Sequence, residues 1–291
     1  MQYIDYFKRF NCSIKYNQKS LSLFQSGGKI RYVIYPQETH SIKNIIQELD
    51  NICIPYTIVG NCSNILISDS GYKGAFICTK SINRCAKINN CIYSEAGALL
   101  SKIVSLAKEE GLSGIEELIG IPGTIGGAVA MNAGAFNREI CDLIDFVDIL
   151  IDGKYEQVKC ADLLYSYRHS KILETKIVVL GVMLKLKEDN KLAVQARMNK
   201  YMDFRKKLQP AQASLGSVFK KANDISAGYY IEKAGLKGMQ VGNAMISNKH
   251  ANFIINLGGA TSTDFVTLAN LAQSKVDKEF KVRLQYEVIL I

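Results

Sequence analysis

Residues 120–136 read Gly-Ile-Pro-Gly-Thr-Ile-Gly-Gly-Ala-Val-Ala-Met-Asn-Ala-Gly-Ala-Phe, with five glycines, four alanines and no charged side chain. Glycine lacks a Cβ and reaches φ > 0, so such a loop turns sharply and lets a ligand approach the backbone. Its main-chain N–H groups carry partial positive charge, which suits a diphosphate. A lone pair of glycines reads as a tight turn in a small-residue layer. This run is longer, and a second small polar loop, Val59-Gly60-Asn61-Cys62-Ser63-Asn64, precedes it. Two such loops point to a large phosphate-bearing cofactor. The familiar nucleotide fingerprints are absent: no G-x-x-x-x-G-K-[ST] occurs, and no G-x-G-x-x-G opens a helix after the first strand.

The elements that must hold these loops follow from periodicity and turn chemistry. In the first eighty residues, 31–35 reads as a strand ending at Pro36, and 41–49 as a helix with Ile42, Ile45, Ile46 and Leu49 on one face. Short strands at 56–59 and 65–68 flank the Asn61-Cys62 loop, and 75–79 adds another. A second lobe has a strand at 91–94, a helix at 98–109 stopped by Gly111, and a strand at 143–151 turned by Asp152-Gly153 into 155–158. A buried strand follows at 176–186. Beyond 188 the character changes: a long charged helix at 191–208 closes at Pro210, short strands and turns surround a helix at 227–234, and 262–280 is amphipathic. Phe265, Ala269, Ala272, Val276 and Phe280 share a face of that last helix, with Thr261, Ser262 or Thr263 as its cap, and 284–291 forms a terminal strand. The expected divisions are 1–80, 81–187 and 188–291.

Composition sets bounds. At 291 residues and 48% hydrophobic content, more than one core is expected. No apolar run approaches the roughly 18 residues of a membrane span, and residues 1–10 lack a leader-like apolar segment. The eight cysteines show no C-x-x-C spacing, which suggests reduced thiols in a cytoplasm and no metal site. The net charge of +9 is dispersed; its densest group, Arg197, Lys200, Arg205, Lys206 and Lys207, reads as a solvated helix face. It also suits a cleft for a substrate bearing a diphosphate and a carboxylate.

Both loops resemble the FAD-binding module of the UDP-N-acetylenolpyruvoylglucosamine reductase family. So do Tyr167-Arg168-His169-Ser170, Gly216-Ser217-Val218-Phe219-Lys220, Ile231-Glu232-Lys233-Ala234-Gly235-Leu236-Lys237-Gly238 and Lys249-His250-Ala251-Asn252-Phe253-Ile254-Ile255-Asn256, in the family's order. The resemblance implies an α+β protein: a two-lobed FAD module of the vanillyl-alcohol-oxidase-like type plus a C-terminal α+β substrate domain. It implies NADPH as reductant, non-covalent FAD, and UDP-N-acetylglucosamine enolpyruvate as substrate, in a cytoplasmic monomer that neither binds nucleic acid nor enters a membrane. FAD would be held by Val59, Gly60, Asn61, Cys62, Ser63 and Asn64, and by Gly120, Ile121, Pro122, Gly123, Thr124, Gly126, Gly127, Ala128, Asn132, Ala133 and Gly134. The short length resembles the family's type II form, which lacks a substrate-covering tyrosine loop.

The implied reaction saturates an enol ether bearing a carboxylate, and charge develops there as an enolate. Arg168, whose guanidinium forks onto a carboxylate, matches the family's enolate-stabilising arginine; unaided, it also fits a surface ion pair. Ser217 matches the proton donor, although a Gly-Ser pair also fits a turn entering a strand. Glu287 matches the glutamate that assists the intermediate; by alternation it shares a side with Gln285 and Ile289. Lys220, Lys221, Lys237, Lys249, His250, Asn252 and Asn256 are substrate-side candidates, equally explained as surface charges or turn residues.

The chain departs from the family pattern at Asn61 and Cys62, where glycines are usual, at Lys221-Ala222, where Asn-Pro is usual, at Ser26, where an apolar residue is usual, and at His169, where aspartate is common. Asn61 tolerates φ > 0 and is expected to replace one glycine. Two other readings compete. An oxidase with tethered FAD needs His or Cys beside the flavin, and His40, His169 and His250 all lie outside the loops. A nucleic-acid binder needs clustered cations interleaved with aromatics, and the chain has no such motif and no tryptophan.

Overall fold

The computed structural model describes residues 6–291. The first five residues lie outside it. Two compact units emerge. The first comprises the segment through Tyr16, Tyr32–Asn61 and Gly74–Asp203; the second comprises Asn17–Arg31, Cys62–Lys73 and Phe204–Ile291.

In the first unit, the helix Ser41–Asn51 turns Ile45 and Leu49 onto the strands Ile30–Pro36 and Tyr72–Cys78, where Phe7, Ile34, Ala75 and Ile77 complete a small core. These strands belong to a four-stranded sheet in the order Cys12–Gln18, Ile30–Pro36, Tyr72–Cys78, Tyr56–Val59, with the last pair parallel. A second sheet has five strands in the order Lys154–Lys159, Ile144–Ile151, Val178–Lys185, Cys91–Glu95, Cys85–Ile88, every neighbour antiparallel. Asp152 and Gly153 at φ 48° and 73° make the left-handed turn that an Asp-Gly hairpin favours. One core joins this sheet to the helices Leu100–Glu109 and Ile125–Met131. A seam of Ile42, Ile82, Leu150, Val178 and Leu180 packs the two layers together.

The charged helix Lys191–Leu208 buries Val194 and Met198. Arg197 on it is partly exposed, but its guanidinium is ion-paired rather than free in solvent. Its Nε and Nη2 reach Glu116 Oε1 at 2.9 and 2.8 Å, and the Glu116 side chain is 3% exposed. A buried carboxylate needs such a partner.

In the second unit, the antiparallel strands Gln240–Val241, Ala244–Ile246 and Ile254–Asn256 pack with the helix Ser262–Phe280 and with Ala227–Lys233. Thr261 caps the long helix in a reciprocal box with Asp264. The carboxylate of Asp69 adds a second cap, accepting from the Ser262 and Thr263 N–H groups and the Thr263 hydroxyl. Phe265, Ala269, Ala272 and Val276 are buried as expected, whereas Phe280 at the end of the helix is 37% exposed. The expected terminal strand is regular only at Ile289–Leu290, which pairs in parallel with Ile65–Leu66. Residues 284–288 instead run past Phe219, bridged at Tyr286.

Candidate active site

Gly60 and Asn61 of the first loop meet the glycine-rich run within the first unit. Asn61 Nδ2 donates to the Pro122 carbonyl at 2.6 Å. A Cβ on Gly60 would lie 2.0 Å from Thr124 Oγ1 and 3.1 Å from both Thr124 Cβ and Cγ2. Gly60 has no positive φ, so space rather than torsion demands glycine here. The left-handed residue of this turn is Cys62, at φ 51°, and not Asn61 as expected; its thiol is buried.

The second loop is partly helical. Thr124 accepts from the Gly127 N–H and caps a seven-residue helix, Ile125–Met131. Ala128, Val129, Ala130 and Met131 supply side chains that helices tolerate, once the cap offsets the two glycines. Its first N–H groups are engaged in the fold: Ile125 donates to Ala98 and Gly126 to Ala96 at 2.8 and 2.9 Å. The helix ends at Asn132, left-handed at φ 45° and fully buried.

Arg168 is built onto the end of this helix. Ser166 and His169 exchange backbone hydrogen bonds of 3.0 and 3.1 Å, and Arg168 sits at φ 54° in the turn between them. A positive φ at the second central position is the type II pattern, which favours glycine or asparagine. Holding an arginine there costs roughly 1–2 kcal/mol, and such strain gathers at sites where a side chain must point one way. The guanidinium donates to the Asn132 carbonyl at 3.2 Å, the Gly134 carbonyl at 2.6 Å and Glu139 Oε1 at 3.3 Å. Its carbon lies 4.9 Å from the centre of the Tyr167 ring. His169 pairs with Glu174 at 2.9 Å.

In the second unit, Ser217 and Glu287 occur on adjoining segments. The Glu287 N–H donates to the Val218 carbonyl at 2.8 Å, and Lys220 donates to Gln285 at 2.8 Å. Asn64 Nδ2 donates to the Glu287 carbonyl at 2.9 Å. Asn252 braces the other side: its side chain accepts from the Phe219 N–H at 3.0 Å and donates to the Phe219 carbonyl at 2.8 Å, while its own carbonyl takes the Val218 N–H. Both ends of that amide are committed to the backbone beside Ser217. Asn256 is likewise spent on Phe24, Gly258 and Ala260.

Lys237 pairs with Glu232 at 2.8 Å, and Lys249 Nζ donates to the Lys206 carbonyl. His250 accepts the Asn252 N–H at Nδ1, so the neutral ring carries its proton at Nε2. Burial, reinforced by the Lys237 charge, holds this imidazole below the usual histidine range. Glu139, which touches the Arg168 guanidinium, drew no notice in the sequence. Only the hairpin turn at Phe136 and Asn137, both left-handed, folds it back onto Asn132 and Arg168.

Comparisons with known proteins decide the family. An FAD binding domain model matches residues 30–159, and the C-terminal domain model of UDP-N-acetylenolpyruvoylglucosamine reductase matches 209–291. The reductase of Caldicellulosiruptor bescii is 42% identical, covering 94% of this chain and 88% of its own. That of Pediococcus pentosaceus is 37% identical, covering 92% and 90%. The chain belongs to the UDP-N-acetylenolpyruvoylglucosamine reductase family. The crystal structure of the Thermus caldophilus reductase superposes with a TM-score of 0.83 at 32% identity, covering 96% of this chain and 98% of that one. As a member of this reductase family, the chain is a flavin-dependent oxidoreductase. Its α+β fold joins a two-lobed FAD-binding module of the vanillyl-alcohol-oxidase-like type to the reductase C-terminal domain. The Physcomitrella patens BBE-like 1 protein shares the fold alone, with a TM-score of 0.51 at 11% identity over 65% of this chain and 45% of that one. Among the described residues, no helix is long and apolar enough to cross a membrane.

Proposed function

We propose that the chain reduces UDP-N-acetylglucosamine enolpyruvate to UDP-N-acetylmuramate for peptidoglycan synthesis, with NADPH as reductant and FAD held non-covalently, as a monomer in the cytoplasm. The observation that carries this reading is the Arg168 guanidinium, anchored on the Asn132 and Gly134 carbonyls of the glycine-rich run. A permanent cation is thereby fixed to the segment assigned to the cofactor.

The residues present fit FAD. Gly60 and Thr124 approach so closely that a single methyl group would part them, which brings the two phosphate-type loops into one cradle. Val59, Gly60 and Asn61, with Gly120, Gly123 and Thr124, would hold the diphosphate end; Cys62, Ser63 and Asn64 continue the first loop. When bound, FAD would supply the redox chemistry between NADPH and the enolpyruvyl double bond. Arg168 stabilises the enolate that develops on the carboxylate side, because its charge needs no reorganisation as the reaction proceeds. Ser217 gives the proton to the carbon, beside a backbone that Asn252 holds on both its N–H and its C=O. Glu287, half-buried and backbone-bonded to Val218, assists the enol form. Lys220, Lys237, Lys249 and His250 serve the substrate's diphosphate and sugar.

A visible spectrum of the purified protein tests this directly. Under anaerobic conditions NADPH should bleach a flavin band, and the enolpyruvyl substrate should restore it. Bleaching without restoration would sink the substrate assignment; a colourless protein that cannot take up FAD would sink the whole reading.

A further inference from the structure

We infer that Glu139, acting with Asn132, is the positioning residue that fixes the plane of the Arg168 guanidinium. The inference rests on the enolate-stabilising role proposed above for Arg168. Four donors converge on the Glu139 carboxylate: Asn132 Nδ2 at 2.7 Å, Arg168 Nη1 at 3.3 Å, the Cys141 thiol at 4.0 Å and, through a reciprocal cap, the Asp142 N–H. Asn132 spends its whole amide on the same frame. Nδ2 also donates to the Ser166 carbonyl at 3.0 Å, and Oδ1 accepts the Cys141 N–H at 3.3 Å.

One buried amide therefore ties the base of the Arg168 turn, at Ser166, to the carboxylate that grips the tip of its side chain. The turn is left-handed and strained, and the side chain is long, so neither alone fixes a direction. A guanidinium whose Nη1 is held by the Glu139 carboxylate and the Asn132 carbonyl, and whose Nη2 is held by the Gly134 carbonyl, has one orientation available. Electrostatic stabilisation of a developing anion requires such a fixed direction. Glu139 thus acts on the enolate only through Arg168.

Stopped-flow absorbance of the flavin, with NADPH and the enolpyruvyl substrate in turn, tests this on the holoenzyme. Glu139→Ala should keep its flavin content and its bleaching rate with NADPH. Its reoxidation by substrate should slow about ten- to a hundredfold, the worth of a charge-assisted hydrogen bond. Turnover should fall more than KM rises. Glu139→Gln, which still offers an oxygen to Arg168, should recover part of the rate. Arg168→Ala should slow the same half-reaction, and adding Glu139→Ala to it should slow it no further.

A wild-type rate in Glu139→Ala beside a slow Arg168→Ala overturns the inference alone. So does a double variant slowed by the product of the two single effects, since Glu139 would then act independently. Equal slowing of both half-reactions in the Ala and Gln variants overturns it in favour of a purely structural carboxylate. A wild-type rate in Arg168→Ala overturns the proposed role of Arg168 itself, and the inference with it.

Discussion

Gly60→Ala should separate the cofactor loops. The added methyl would sit 2.0 Å from Thr124 Oγ1 and 3.1 Å from Thr124 Cβ and Cγ2. To reach ordinary contact the hydroxyl must retreat by about 1.5 Å. That hydroxyl is the cap of Ile125–Met131, and losing a threonine cap costs about 1 kcal/mol. Overpacking a close-packed site adds about 1–3 kcal/mol. The total of about 2–4 kcal/mol bounds the loss of FAD affinity at about thirty- to several-hundredfold, at 1.4 kcal/mol per tenfold. Whatever part is not expressed in binding should appear as a lower Tm, by about 2–4 °C for each kcal/mol in a unit of this size. Flavin fluorescence titration and a thermal melt of the apoprotein give both numbers. Thr124→Ala removes the two outer atoms in the way, so the double variant should bind FAD better than Gly60→Ala and approach Thr124→Ala alone. Wild-type flavin affinity and Tm in Gly60→Ala, or a double variant no better than the single one, would refute the steric argument.

Ser217→Ala should leave FAD binding and NADPH-driven bleaching close to normal and slow substrate reoxidation by orders of magnitude, with partial recovery in Ser217→Cys; reoxidation at the wild-type rate in stopped flow would remove Ser217 as the proton donor. Arg197→Met should strand the buried Glu116 carboxylate and cost about 2–3 kcal/mol, no more than the low end of the about 3–5 kcal/mol for a fully buried pair, because the arginine is partly exposed; an unchanged Tm would show that the Gly114 N–H, 2.6 Å from Glu116, suffices. For Asp69, desolvation raises the carboxyl pKa, but hydrogen bonds from Thr263 and Ser262 outweigh it and hold the pKa below the usual range. A depressed folded pKa means stability that is present above the unfolded value, about 3.9, and lost as pH falls through the folded value. Asp69→Asn should therefore be less stable at neutral pH by about 0.5–1 kcal/mol, and denaturant melts should show the gap closing below about pH 4; a gap that persists at pH 2 contradicts this.

Local signals carried much of the fold. The helices at 191–208 and 262–280 begin and end where periodicity, caps and Pro210 put them, and Asp152-Gly153 makes the turn its chemistry demands. The short helix in the glycine-rich run was not legible, because its stability comes from a single threonine cap and from the Ala96 and Ala98 carbonyls, which are distant in sequence. The same limit hid Glu139. Nothing marks it among the other charged residues until Phe136 and Asn137 reverse the chain. Arg197 looked solvated because its partner Glu116 lies 81 residues away. Resemblance drew attention to Arg168, Ser217 and Glu287, but the cost of the Arg168 backbone and the bracing of Phe219 by Asn252 are tertiary facts that no spacing encodes.

The parallel pairing of Ile65–Leu66 with Ile289–Leu290 bears on biosynthesis. Asn64 and Glu287 are joined across 223 residues. A nascent chain carries the first of these strands long before the ribosome has made the second, so Leu66 and Phe24 must wait without the helix and terminal strand that cover them. Closing so long a loop is slow, and an uncovered strand edge invites mispairing meanwhile. Translation that stalls before Ile289–Leu290 is made should leave a polypeptide with a nearly complete first unit and an unsealed second one, a ready substrate for chaperones and proteases.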